Sequence, residues 1–327
     1  MKKIILIIFL FLSGFFITLF YLNRSGGGLA ESPKTVVAPT PQLPPPVTNK
    51  KITYSGFSAP SFPTIIPLIK VDGGFNAKSV AQKVSNSLGF VSEPAVITGT
   101  RGNFLVWRQD NASLTYAPDT NSLVYSSGNG PKEILTQPTG AYQAKAEKFI
   151  LQNIPLLSKD FMKFASFEYF APGKNGGNPV YQPQKATVIQ INFLMVVNDF
   201  PLYNKSLSFK PSVFIQLNSD LQVITCSVTL MPKVTLTDKF LSVITLDQAI
   251  KRLNSSEGSL INYKWGVVGN EPEIIPEVPE NIKINKTELA YYYNSDDEYV
   301  LPVFIFTGFG FLNGTNSIYT TTVVSAQ

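Results

Sequence analysis

Between Val188 and Val197 the residues Ile189, Ile191, Phe193, Met195 and Val197 alternate with Gln190 and Asn192. That period of two marks a strand with one buried face. The same alternation predicts strands at Phe104–Trp107, Leu114–Tyr116, Leu123–Tyr125, Val213–Leu217, Leu221–Val228, Leu289–Tyr293, Tyr299–Thr307 and Ser317–Val324. Turn residues separate them, as in Pro118-Asp119-Thr120-Asn121-Ser122, Asn218-Ser219-Asp220 and Asn313-Gly314. A helical period takes over at three places. Val80, Ala81, Val84 and Leu88 share one face after the cap Asn76 and before Gly89, and Tyr142, Ala146, Phe149 and Ile150 do so after Thr139. Thr245 and Gln248 form a capping box ahead of Leu246, Ala249, Ile250 and Leu253.

The longest apolar run, Ile4 to Leu22, has no charge and as a helix is ~28 Å long, enough to cross a bilayer. Lys2 and Lys3 precede it and Arg24 follows, which favours a cytoplasmic N-terminus and an extracytoplasmic body. Gly28-Leu29-Ala30 offers a cleavage site for the competing secretory-signal reading; the length of the run favours a retained anchor. Residues 24–50 then join Gly26–Gly28 to Pro39, Pro41, Pro44, Pro45 and Pro46, a spacer composition. The order helix then hairpins, met three times, predicts an α+β chain: an N-terminal transmembrane helix, then repeated modules of one short helix packed on an antiparallel β-meander sheet. The boundaries are 1–23 for the anchor, 24–52 for the linker, and 53–137, 138–237 and 238–327 for the modules.

Composition excludes several chemistries. The 327-residue chain has no histidine, which removes Ser-His-Asp and Cys-His catalysis and every histidine-ligated metal site. Its one cysteine, Cys226, forms no intrachain disulfide and falls in phase with Ile224 and Val228, the position of a small buried hydrophobe. The net charge of +5 includes three cations and no acid within residues 1–30, and the body has no basic cluster of the kind nucleic acid requires. Neither a Gly-x-Ser-x-Gly elbow, nor a Ser-x-x-Lys pair, nor a phosphate-binding glycine loop is present.

The stretch AKSVAQKVSNSLGF, then FLVWRQ and LTYAPDTNSLVYSSG, resembles PepSY-like modules, in which a short helix packs on a sheet. ITLDQAIKRL followed by TELAYYYNSDDEYVLPVFIFTG resembles the terminal module of YycH/YycI-type extracytoplasmic regulators. The resemblance covers residues 75–327 and rests on spacing and hairpin character. It implies one membrane helix, an outer body that restrains a membrane or envelope protein partner, and no catalysis; it carries over no contact residue.

Two residue clusters have a chemical alternative. Asp296, Asp297 and Glu298 are close enough to bind calcium, against the reading of a solvated hairpin tip, and lack the acid spacing of a calcium loop. Tyr291, Tyr293 and Tyr299 are the candidate partner-binding surface, against the reading of half of the nearby aromatics as core. The expectation is therefore a non-enzymatic membrane-anchored regulator or scaffold with a protein partner, membrane contact through residues 4–22, no cofactor, no metal and no nucleic acid. The alternative is an envelope glycan- or peptide-binding module that uses the tyrosines.

Overall fold

A computed structural model of the chain describes residues 35–37, 41, 43, 51–58, 60–99, 102–172, 178–180, 182–204, 212–255, 257–265, 278–294, 297–312 and 316–327. The apolar run Ile4–Leu22, most of the spacer, Asp296 and the Asn313-Gly314 turn lie outside them. Among the described residues no helix is long and apolar enough to cross a membrane.

The chain opens with strands β1 (Thr35–Val36), β2 (Thr53–Ser55) and β3 (Ile65–Val71), followed by helix α1 (Ala77–Ser87). Strands β4 (Ala95–Gly99), β5 (Gly102–Gln109), β6 (Ala112–Ala117) and β7 (Ser122–Ser126) lead to α2 (Thr139–Asn153). Next come β8 (Met162–Ala171), β9 (Asn178–Pro179), β10 (Val188–Val197), β11 (Phe200–Asn204), β12 (Val213–Asn218), β13 (Val223–Thr229) and β14 (Val234–Ser242). Helix α3 (Leu246–Asn254) precedes β15 (Ser259–Trp265), β16 (Asn281–Tyr293), β17 (Tyr299–Leu312) and β18 (Asn316–Ser325).

Helix α1 starts where the Asn76 side chain accepts from the Ser79 N–H at 2.9 Å, and Gly89 follows it with φ +88°. Its Val80, Ala81 and Val84 are buried. Helix α2 buries Tyr142, Ala146 and Ile150, and at α3 both bonds of the capping box form: Thr245 N–H donates to Gln248 Oε1 at 2.8 Å and Gln248 N–H to Thr245 Oγ1 at 3.3 Å.

Nine strands form one antiparallel sheet in the order β4-β5-β6-β7-β13-β12-β10-β8-β9. Both α1 and α2 pack on the same side of it. Their C-terminal ends meet where Ser87 Oγ donates to the Gln152 carbonyl, above the ring contacts of Phe90 and Phe149 with Tyr125. Directly opposed residues share a face. One row on the helix side is therefore Trp107, Leu114, Tyr125, Cys226, Ile215 and Ile191, all in the main core or against it.

The remaining strands gather around β17, which pairs with β16 on one edge and with β18, then β3, on the other. β15 adds to β18, and β14 and then β1 add beyond β3. Along the outer edge of β16, β2 pairs with Asn281–Lys283 and β11 with Tyr291–Tyr293, both in parallel. β11 is reached from β10 by a two-residue turn, Asn198-Asp199, with φ +51° and +67°. That hairpin ties the two sheets into one network of eighteen strands. Gly308 sits opposite the bulge at Ile284 and Lys286, where any Cβ would run into the Lys283 carbonyl. Helix α3 covers β18 and β2: its Asn254 side chain accepts from the Tyr54 N–H at 3.0 Å.

These pairings correct the expected fold class. The chain is mostly a large mixed β-sheet with three short helices among the described residues, not a series of helix-plus-meander modules; the expected transmembrane helix over residues 4–22 lies outside the described residues. Strands of 53–137 and 138–237 share one sheet through β7 and β13, and β2 and β3 from the start of the body pair with β16 and β17 near its end. Periodicity records which face of a strand is buried but not which distant strand lies beside it.

Candidate binding surface

Tyr291 is fully buried: its hydroxyl donates to the Pro67 carbonyl at 2.7 Å and its ring meets Phe200 edge-on at 5.9 Å. Burial pushes its phenol above the ordinary tyrosine range. Tyr293 and Tyr299 are half-buried against the same core, so the three do not share an open face. Tyr292 lies on the opposite face with Ala290, Val303, Ile305 and Val323, a second small core. The centre of β16 and β17 is thus buried on both faces, which accounts for its near-continuous apolar sequence.

At the hairpin tip Glu298 pairs with Lys70 at 3.0 Å on the surface, and Asp297 raises the Tyr292 phenol further, after burial itself. No group of three metal-ligating side chains occurs among the described residues. Cys226 is buried opposite Tyr125 and Ile215, and desolvation pushes its thiol up to about 12, the opposite of what a reactive thiolate needs.

The nine-stranded sheet presents the arrangement best suited to binding, on the face turned away from α1 and α2. One row there runs Arg108, Ser113, Ser126, Thr225, Gln216, Gln190, Glu168. The next runs Ala95, Val106, Thr115, Val124, Ser227, Phe214, Asn192, Ser166 across eight strands, or roughly 34 Å at the usual strand spacing. Between Arg108 and Glu168 neither row carries a formal charge. At its middle Val124 is 39% exposed, flanked by half-exposed Thr115 and Ser227.

One side of this face is held rigid by amides. Gln216 Nε2 donates to Gln190 Oε1 at 3.0 Å, and Gln190 Nε2 to Asn192 Oδ1 at 2.9 Å. Asn192 Nδ2 donates to both Ser166 Oγ and Glu168 Oε1 at 3.0 Å, which satisfies a side chain that is itself fully buried. The alternation in the sequence contained these positions, as the polar partners of the apolar residues. The available signal was what they lack, since an ordinary solvated strand face carries lysine and glutamate. No protein-family model and no curated protein sequence matches the chain.

Proposed function

We propose that this chain is a non-catalytic, membrane-anchored extracytoplasmic regulator or scaffold that binds a membrane or envelope protein across the open face of its nine-stranded sheet. The observation that carries the reading is the absence of charge along the two rows between Arg108 at one end and Glu168 at the other. Charged residues are depleted at the centres of protein interfaces, because desolvating them is costly. A face that only met water would have no reason to exclude them. Half-exposed Phe214 and exposed Val124 supply apolar contact, while serine, threonine and glutamine supply hydrogen bonds.

The apolar run Ile4–Leu22 supports the tethered part of the reading, since an anchor and spacer raise the local concentration of the body near a membrane partner. Missing histidine and a buried, inert Cys226 support the non-catalytic part. The glycan alternative built on Tyr291, Tyr293 and Tyr299 has no comparable support, because Tyr291 faces the core. A photo-crosslinker placed at Val124 of the full-length protein in its own membranes tests the proposal, with Lys145 on the exposed side of α2 as control. The expected result is one discrete protein adduct from position 124, none from 145, and its loss in a second variant carrying Thr225→Arg. Equal adducts from both positions, or none from Val124, would overturn it.

A further inference from the structure

Strand β4 ends the nine-stranded sheet, and its far edge has no partner among the described residues. All five residues, Ala95 to Gly99, are exposed, with Val96 at 64% and Ile97 at 43%. Natural sheets protect such edges with charges, bulges, internal prolines or a covering element. The opposite end of this sheet shows that protection: β8 carries Lys163 and Glu168, a bulge in its pairing with β10, and β9 over Phe170 and Ala171. β4 has neither charge, bulge nor proline within it.

The backbone polarity of this edge follows from the hairpin. Only two residues connect Gly99 to Gly102, so these two form the hydrogen-bonded closing pair. Alternation makes Ile97/Phe104 and Ala95/Val106 hydrogen-bonded pairs as well. The N–H and C=O of Val96 and Thr98 therefore point outward, away from β5. The side-chain bond from Thr98 Oγ1 to Asn103 Oδ1, at 2.9 Å, spans the intervening pair in agreement with this.

We propose that two copies of the chain join by antiparallel β4–β4 pairing with the twofold axis at Ile97. In this register Val96 of each copy lies opposite Thr98 of the other, and both residues turn their free backbone groups toward the partner. Four N–H···O bonds then form with no group left over. Ile97 meets Ile97 of the second copy in the close, non-hydrogen-bonded position, on the same side as the open face. The register is self-complementary in hydrogen bonds and side chains, as an isologous contact requires. It would also make the open faces of two sheets continuous. The inference stands without the function proposed above.

The test uses the full-length chain in mild detergent. Sedimentation is expected to show a concentration-dependent monomer–dimer equilibrium. Val96→Pro, which removes an outward N–H that β5 does not use, and Ile97→Lys are each expected to weaken the dimer at least about tenfold with an unchanged melting temperature. An oxidised Ile97→Cys variant is expected to give a disulfide-linked dimer, because the axis brings these two β-carbons close, whereas Thr98→Cys is not. A chain that is monomeric at every concentration would overturn the proposal. A dimer indifferent to Val96→Pro would also do so, as would a Thr98→Cys variant that links as readily as Ile97→Cys.

Discussion

At the residue scale, Cys226 and the buried tyrosines make stability depend on alkaline pH. The folded protein keeps the Cys226 thiol protonated up to about 12, against an ordinary 9.0, because burial disfavours the thiolate. The unfolded chain releases that proton at lower pH, so stability is complete below about pH 9 and declines as pH rises toward 12, by about 1.4 kcal/mol for each unit crossed. Tyr54, Tyr116, Tyr125, Tyr291 and Tyr292, all raised chiefly by burial, act in the same direction from pH 10 upward. Urea midpoints measured from pH 8 to 11 are expected to fall, and to fall less steeply in Cys226→Val between pH 9 and 10, where the thiol acts first. An equal slope in the two proteins would contradict burial of this thiol. Its place as a small hydrophobe was legible in the sequence from its phase with Val228; its neighbours Tyr125 and Ile215 were not, since both come from other strands.

At the element scale, local signals and local structure agree where the chain's own neighbours supply the partners. The capping box of α3 needs only residues three apart, and both of its bonds are present. Thr245→Ala is expected to cost about 0.5–2 kcal/mol by chemical denaturation. A change near zero would mean that packing of Ala249 and Leu253 alone holds the helix. Helix α1 and the strand Val188–Val197 follow the same logic, because caps and alternation are written within a dozen residues. β3, β8 and β14 gave no comparable signal. β8 reads MKFASFEYFA without clean alternation and is exposed over much of its length. β3 is interrupted by Pro67, whose missing N–H is tolerated at a place where its carbonyl instead receives the Tyr291 hydroxyl.

At the scale of the whole molecule, the first strands of the body complete the last sheet. β2 and β3 pair with β16 and β17, and Thr322 Oγ1 donates to the buried Tyr54 hydroxyl at 3.0 Å. Removing residues 51–71 takes Ile52, Ile66, Leu68 and Ile69 out of the core, each buried and worth about 1.5–3 kcal/mol. Their sum rivals the ~5–15 kcal/mol by which a domain is stable at all. A chain lacking 51–71 is expected to lose its near-ultraviolet circular dichroism and its cooperative melting transition. Retention of both would show that the sheet around β17 stands without its N-terminal strands.

The sequence by itself determined where half of the strands and all three described helices lie, how α1 and α3 are capped, and the inward face of the plainly amphipathic elements; α2 starts after Pro138 with no side-chain cap, although Thr139 reads as one. The sequence also determined the chemistry that a chain without histidine and with one cysteine cannot perform. Those properties depend on residue type and on neighbours a few places away. Only the tertiary structure decided that Tyr291 is core, because β11 and β3 come from far along the chain to cover it. The uncharged face and the exposed β4 edge were decided there too: a period of two separates the faces of a strand, but only pairing fixes which strands make up a face and which strand ends it.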